Sequence, residues 1–306
     1  MAASLLLAIA ILAGKTVAYV LTGSAALWAD AAESVVHIVA TAFAAFSLWY
    51  ASRPPDVSHP YGHGRIAYFS VGFEGLLVLS ASLAVIVSGV VGLVNGVALN
   101  RLGTGLVVAC SVAAANLALG LMLLHVGRRE RVLILIANGR HVLADVLTTG
   151  AALVGLGAVM LTGWNWLDPL AAVLIGFWIL ASGAALLRES VAGLMDEVDP
   201  HLVKPVAECL TAAVEQKLIA GFHKLRCRVL QQDLWVDVHL QLPSRLTIVE
   251  AHDRATRLEG RLRACLPQHV VHTTTHLEPE DHASTHPAGH EERDDPLRHV
   301  PSGGPV

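Results

Sequence analysis

The chain has 306 residues, of which 54% are hydrophobic and only 15% charged, with a mean hydropathy of +0.56. These values exclude an ordinary soluble globule, and a net charge of −4 leaves no electrostatic footprint for nucleic acid. Four cysteines, Cys110, Cys209, Cys227 and Cys265, form neither a CxxC nor a disulfide-dense pattern, which suits a reducing compartment.

Hydrophobic residues fill 1–190, whereas 196–306 read as a soluble domain with a polar tail. Crossing a bilayer takes roughly 20 apolar residues. Six stretches qualify: 3–22, 24–50, 66–96, 103–126, 132–162 and 167–188. The first could imitate a signal peptide, but it lacks a basic leader and five more follow, so it is expected to be a retained helix. The loops after spans two and four carry Arg53, Arg65, Arg128, Arg129 and Arg131; those after spans one, three and five carry only Arg101. The positive-inside rule then puts both termini in the cytoplasm; the membrane expected is the cell (inner) membrane. Lys15, a lone charge in span one, could snorkel or pair with a carboxylate of the bundle.

Beyond Asp196 the periodicity changes. An amphipathic helix is predicted over 200–216, strands over 222–232 and 234–243, a helix over 247–265 and a strand over 268–277. This α-β-β-α-β order fits a small α+β domain with helices on one sheet face. The division expected is 1–192 membrane domain, 193–280 cytoplasmic domain and 281–306 tail. The tail lacks apolar periodicity, which predicts disorder.

Two pairs inside the apolar stretches stand at metal-ligand spacing. Glu33 and His37 lie four apart in span two, and His141 and Asp145 lie four apart in span five. On a helix, i and i+4 share a face, so each pair aims two ligand groups one way. Two carboxylates and two imidazoles suffice for one tetrahedral site. Four polar residues satisfied by interhelical hydrogen bonds are the alternative. Ionisable groups at bilayer depth are costly and by default mark an ion path. Asp30, three residues before Glu33, reads as a supporting carboxylate or helix-end charge outside the ligand set.

HVLADVLTT at 141–149, GWNWLDPLAAVLIGFWIL at 163–180 and SVAGLMDE at 190–197 resemble the cation diffusion facilitator family. So do GSAALWADAAESVVH at 23–37 and HPYGHG at 59–64. The likeness runs from span one to about residue 280. It implies an α-helical membrane protein with six transmembrane helices and a cytoplasmic α+β ferredoxin-like domain. It also implies a homodimer that exports a divalent transition metal in exchange for protons. By position, Glu33, His37, His141 and Asp145 fall on the family's transport site. Family members usually carry His or Asp and then Asp in span two, so Glu33 then His37 inverts the order. Imidazole suits Zn, Fe, Ni and Cu alike, so zinc comes from the family, with Fe, Co, Mn, Ni or Cd open.

Three further groups follow from the resemblance. Asp56, His59 and His63 match an accessory loop site of some members, against a proline-turned polar loop as the alternative. Arg65 and Asp196 match a charge interlock near the membrane exit; an ordinary helix-end ion pair would look the same. His223, His239, His252, His276 and Glu278 fall where the family places a cytoplasmic binuclear metal site, with metal as regulator. His201 and the tail's His282, His286, His290 and His299 read as solvated, or as a weak metal-capturing tail. No HExxH and no obvious nucleophile is present, so a transporter and not an enzyme is expected. A membrane metalloenzyme and a non-transporting metal sensor or scaffold are the other classes.

Overall fold

The computed structural model describes residues 2–96, 99, 102–129, 133–230 and 233–281, without the side chains at 2–8, 127, 133–141 and 144. Arg101, Arg131 and the four tail histidines therefore lie outside the described residues. The chain forms two compact units, Met1–Val191 and Ala192–Val306.

The first unit is helical: α1 (Ala2–Thr22), α2 (Ala25–Ala51), α3 (Ile66–Asn95), α4 (Leu102–Arg129), α5 (Leu133–Thr162) and α6 (Leu167–Leu194). Among the described residues, stretches of α2 to α6 are long and apolar enough to cross a membrane, and α1 adds the shorter apolar stretch Ile9–Thr22. Each is apolar all round, as a helix facing lipid on one side and protein on the other must be. Helix α1 packs on α2 and α4, α2 on α3 and α5, and α4 on α5.

The turn between α1 and α2 is built by Gly23, at φ 67°, and Ser24, whose side chain caps α2 by accepting from the Leu27 amide. Asp168, at the start of α6, completes it. Fully buried, it accepts the Ser24 hydroxyl and the Ala25 amide, the latter at 2.7 Å. A carboxylate at a helix N-terminus meets both unpaired amides and the positive end of the helix dipole. This contact places the α1–α2 and α5–α6 turns at one end of the bundle. Trp164 and Trp166, stacked and exposed beside the α5–α6 turn, suit the membrane interface there. At the far end of α2, Arg53 lies 4.3 Å over the Trp49 ring. Asp168→Ala strips both α2 donors of their acceptor and should cost about 2–4 kcal/mol. A clearly lowered melting temperature in detergent is the expected result; an unchanged one would show the cap to be dispensable.

Helices α3 and α6 touch through glycines. A methyl group on Gly75 would lie 3.0 Å from the Leu187 amide nitrogen and 3.1 Å from the Gly183 carbonyl, and one on Gly89 2.9 Å from the Pro169 carbonyl. Small residues let backbones approach where lipid offers no hydrophobic drive to association.

The second unit runs α7 (Pro200–Glu215), β1 (Gly221–Leu230), β2 (Asp233–Leu242), α8 (Ile248–Cys265) and β3 (Val270–Pro279), the α-β-β-α-β order expected from the pattern. The sheet order is β1-β2-β3, with β1 antiparallel and β3 parallel to β2. The parallel pairing requires a crossover, which α8 supplies. Thr247 and Glu250 form a reciprocal capping box at the start of α8. Along β2, Leu234, Val236, Val238, Leu240 and Leu242 are buried in one core with Val206 and Leu210 of α7 and Leu258 and Leu262 of α8. The alternate residues Trp235, Asp237, His239 and Gln241 point to the other face. The protein is thus a six-helix membrane domain followed by an α+β domain.

Candidate metal centres

The intramembrane cluster draws on α1, α2, α4 and α5. Carboxylate oxygens of Asp30, Glu33 and Asp145 lie within 4.8 Å of one another. Asp30 is 2% exposed, and its Oδ2, like Glu33 Oε2, is buried with no hydrogen-bond partner among the described residues. Buried acceptors without donors are expensive, and a cation satisfies them. His37 Nε2 stands 3.6 Å from Glu33 Oε1. The His141 side chain lies outside the described residues. A tetrahedral divalent ion bound at about 2.0–2.2 Å spaces its ligand atoms roughly 3.4 Å apart, so small side-chain adjustments would seat one.

Lys15 is the second occupant of this cluster. Its ammonium, 2% exposed, donates to Asp30 Oδ1 at 2.9 Å, Ser34 Oγ at 2.9 Å and both Asp145 oxygens at 2.8 Å. It therefore pairs with bundle carboxylates and does not snorkel. Asn116 of α4 donates to Asp145 Oδ2 at 2.7 Å, and Thr149 of α5 to Asp30 Oδ1 at 2.8 Å. Sequence reasoning left Asp30 outside the ligand set, although its place three residues before Glu33 puts both on one helix face. It gave no role to Asn116, whose signal was an amide inside an apolar span.

The loop between α2 and α3 holds a second group, Asp56, His59 and His63. Asp56 Oδ1 accepts the backbone amides of Ser58 and His59 at 2.9 and 2.6 Å. The His59 amide leads in holding the exposed Asp56 carboxyl below its usual range, so it stays ionised. His59 Nδ1 lies 3.1 Å from Asp56 Oδ1 and His63 Nε2 3.2 Å from Oδ2, one imidazole per oxygen. His63 is buried, edge-on to Tyr50. Arg65 stands at the N-cap of α3, in the first unit; Asp196, with φ 58°, follows α6 in the second.

The third group lies on the helix-free face of the sheet. Register pairs His223 of β1 with His239 of β2, and His239 with His276 of β3, so three imidazoles cross the sheet in one row. Glu278, two residues beyond His276 on the same face, is buried beneath them. His239 Nδ1 lies 2.6 Å from Glu278 Oε1, His223 Nε2 3.1 Å from Oε2 and His276 Nε2 3.7 Å from Oε1. His223, His239 and Glu278 form a donor set fit for a metal ion. His252, exposed on α8, is not part of that set. Burial pushes the Cys209 and Cys227 thiols up to about 12, so neither offers a thiolate at neutral pH.

Comparison with known proteins decides the family. Residues 1–195 match the cation efflux transmembrane domain, and 204–280 match the cytoplasmic domain of cation efflux proteins. The chain belongs to the cation efflux, or cation diffusion facilitator, family. Relatives include an uncharacterized transporter of Synechocystis sp., 33% identical over 273 residues, which span 89% of this chain and 87% of the relative. The cation-efflux pump FieF of Klebsiella pneumoniae is 29% identical over 261 residues, 85% of this chain and 86% of the pump. Metal tolerance protein 2 of Oryza sativa is 31% identical over 267 residues, 78% of this chain and 68% of that protein. The chain is therefore a multi-pass membrane cation-efflux transporter and not an enzyme.

Proposed function

We propose that this cation-efflux transporter exports a divalent transition metal, zinc foremost, from the cytoplasm in exchange for protons. The observation that carries the reading is the carboxylate cluster of buried Asp30 and partly buried Glu33 and Asp145, with two acceptor oxygens unpaired among the described residues. Glu33, His37, His141 and Asp145 are its ligands, from one helical turn of α2 and one of α5. Ligands must be deprotonated to hold metal, so an acidic far side releases the ion while the cytoplasmic side loads it. Movement of the bundle between inward- and outward-open forms then carries the site across. Both termini face the cytoplasm of a cell-membrane homodimer in this scheme, and Arg65 and Asp196 interlock near the exit. Asp56, His59 and His63 form a loading site in the loop.

Purified protein in liposomes tests the scheme. Zinc should accumulate when a pH gradient is imposed and stop when an ionophore collapses it. Accumulation indifferent to the gradient would refute proton exchange, and no accumulation of any divalent metal would leave a sensor or scaffold.

The sheet-face group would serve as regulator, holding metal on His223, His239, His276 and Glu278. Metal that binds only the folded form raises stability by mass action, about 2.7 kcal/mol at a hundredfold excess over Kd. The α+β unit has its own core, so residues 192–281 should melt several degrees higher with zinc. His239→Ala should remove most of that rise; a rise that survives it would place the metal elsewhere.

A further inference from the structure

Three features beyond the four ligands meet in the membrane cluster. Lys15 spends all three ammonium donors there, on Asp30, on Ser34 and on the two oxygens of Asp145. Asp30, buried in the same cluster as Glu33 and Asp145, keeps one oxygen, Oδ2, unpaired among the described residues. Formal charge gives the third feature. Three carboxylates and one ammonium leave −2, the charge that one divalent cation neutralises.

We infer that Lys15 is a tethered cation of the transport site, resting on Asp145 while the site is empty and withdrawing onto Asp30 and Ser34 when metal arrives. The inference rests on the assignment of Asp145 as a transport ligand. The ammonium stands 2.8 Å from both oxygens that a metal ion would use, so the two cations compete for one carboxylate. Its retreat is short, because Asp30 and Ser34 already accept from it at 2.9 Å and lie one helical turn apart on α2. In the empty carrier the lysine spares Asp145 an uncompensated charge at bilayer depth, where an unpaired ion is costly. In the loaded carrier the Lys15–Asp30 pair is self-contained and leaves Glu33 and Asp145 to the metal. Lys15 thereby holds affinity down, and a carrier that must release its cargo on every cycle needs that.

A structural ion pair between Lys15 and Asp30 is the competing account, and zinc affinity separates the two. Binding is measured by competition with a chelating dye on the full chain in detergent. The background carries Asp56→Ala and His239→Ala, so that the membrane cluster dominates the signal. Lys15→Met should bind zinc at least tenfold more tightly. Lys15→Met with Asp30→Asn removes the pair together, leaves no buried unpaired charge to unfold the bundle, and should also bind tenfold more tightly, because the competitor is gone. Lys15→Arg keeps the charge and should stay within threefold of the background protein. If the double variant binds as the background protein does, Lys15 merely neutralises Asp30 and the inference falls. Asp145→Asn in the same background reads the underlying assignment separately. Lost binding there with unchanged lysine variants overturns only the tethered cation, whereas unchanged binding overturns the site itself.

Discussion

Asp145→Ala should abolish metal flux, lowering it by more than about a hundredfold, while the protein still folds and elutes as wild type does. Even partners that only support a metal ligand typically account for 10–100-fold in affinity or activity, so loss of the ligand itself should exceed that range. The fold should survive because the substitution leaves the Lys15 ammonium paired. Lys15 retains Asp30 and Ser34, and Asn116 is the one donor released. Asp145→Asn keeps the volume and loses the charge; it should be as inactive, which separates ligation from packing. Flux into liposomes under a pH gradient is the measurement. Near wild-type transport by either variant would remove Asp145 from the site and with it the pairing of α2 and α5 around a single metal.

Much of the architecture was legible in the sequence because it follows from local pattern. The apolar runs, the polar loops and the switch to period-two alternation in LWVDVHLQL each depend on residues within a few positions. The burial of Leu234, Val236, Val238, Leu240 and Leu242 against the helices is that alternation made physical. The candidate sites were legible, as groupings of residues, where helical or strand spacing encodes them. Glu33 and His37 are neighbours by virtue of one turn of helix.

What escaped was contact between distant segments. Lys15 meets Asp145 across 130 positions of chain, and Thr149 meets Asp30 across 119. No periodicity foretells such pairs; they exist because α1, α2 and α5 converge. Lys15 had two open readings for the same reason, since a long side chain can reach outward or inward until its neighbours are known. The row His223–His239–His276 shows the converse limit. Each histidine sat on a strand in sequence, yet only the register of two ladders, one antiparallel and one parallel, aligns them.

The inverted pair of α2 yields the second large effect. Glu33→His combined with His37→Asp should change metal preference by tenfold or more, while keeping two carboxylates and two imidazoles among the four proposed ligands. Metals of comparable affinity are told apart by ligand type and geometry rather than by charge alone. In the native chain the carboxylate at 33 stands among the oxygens of Asp30 and Asp145, and the imidazole lies one turn on, about 6 Å along the axis. That sets more oxygen donors around position 33, beside Asp30, which would narrow the margin of zinc over the harder ions Mn and Fe. The swap replaces that grouping by an imidazole next to two carboxylates and moves the lone carboxylate, now a methylene shorter, to the partly buried position of His37. Zinc should gain relative to manganese and iron. Competition flux with metal mixtures, native chain against the double variant, reads the preference directly. An unchanged order of metals, in a variant that still transports, would mean that the pocket reads ligand count and charge and that the inversion carries no selectivity.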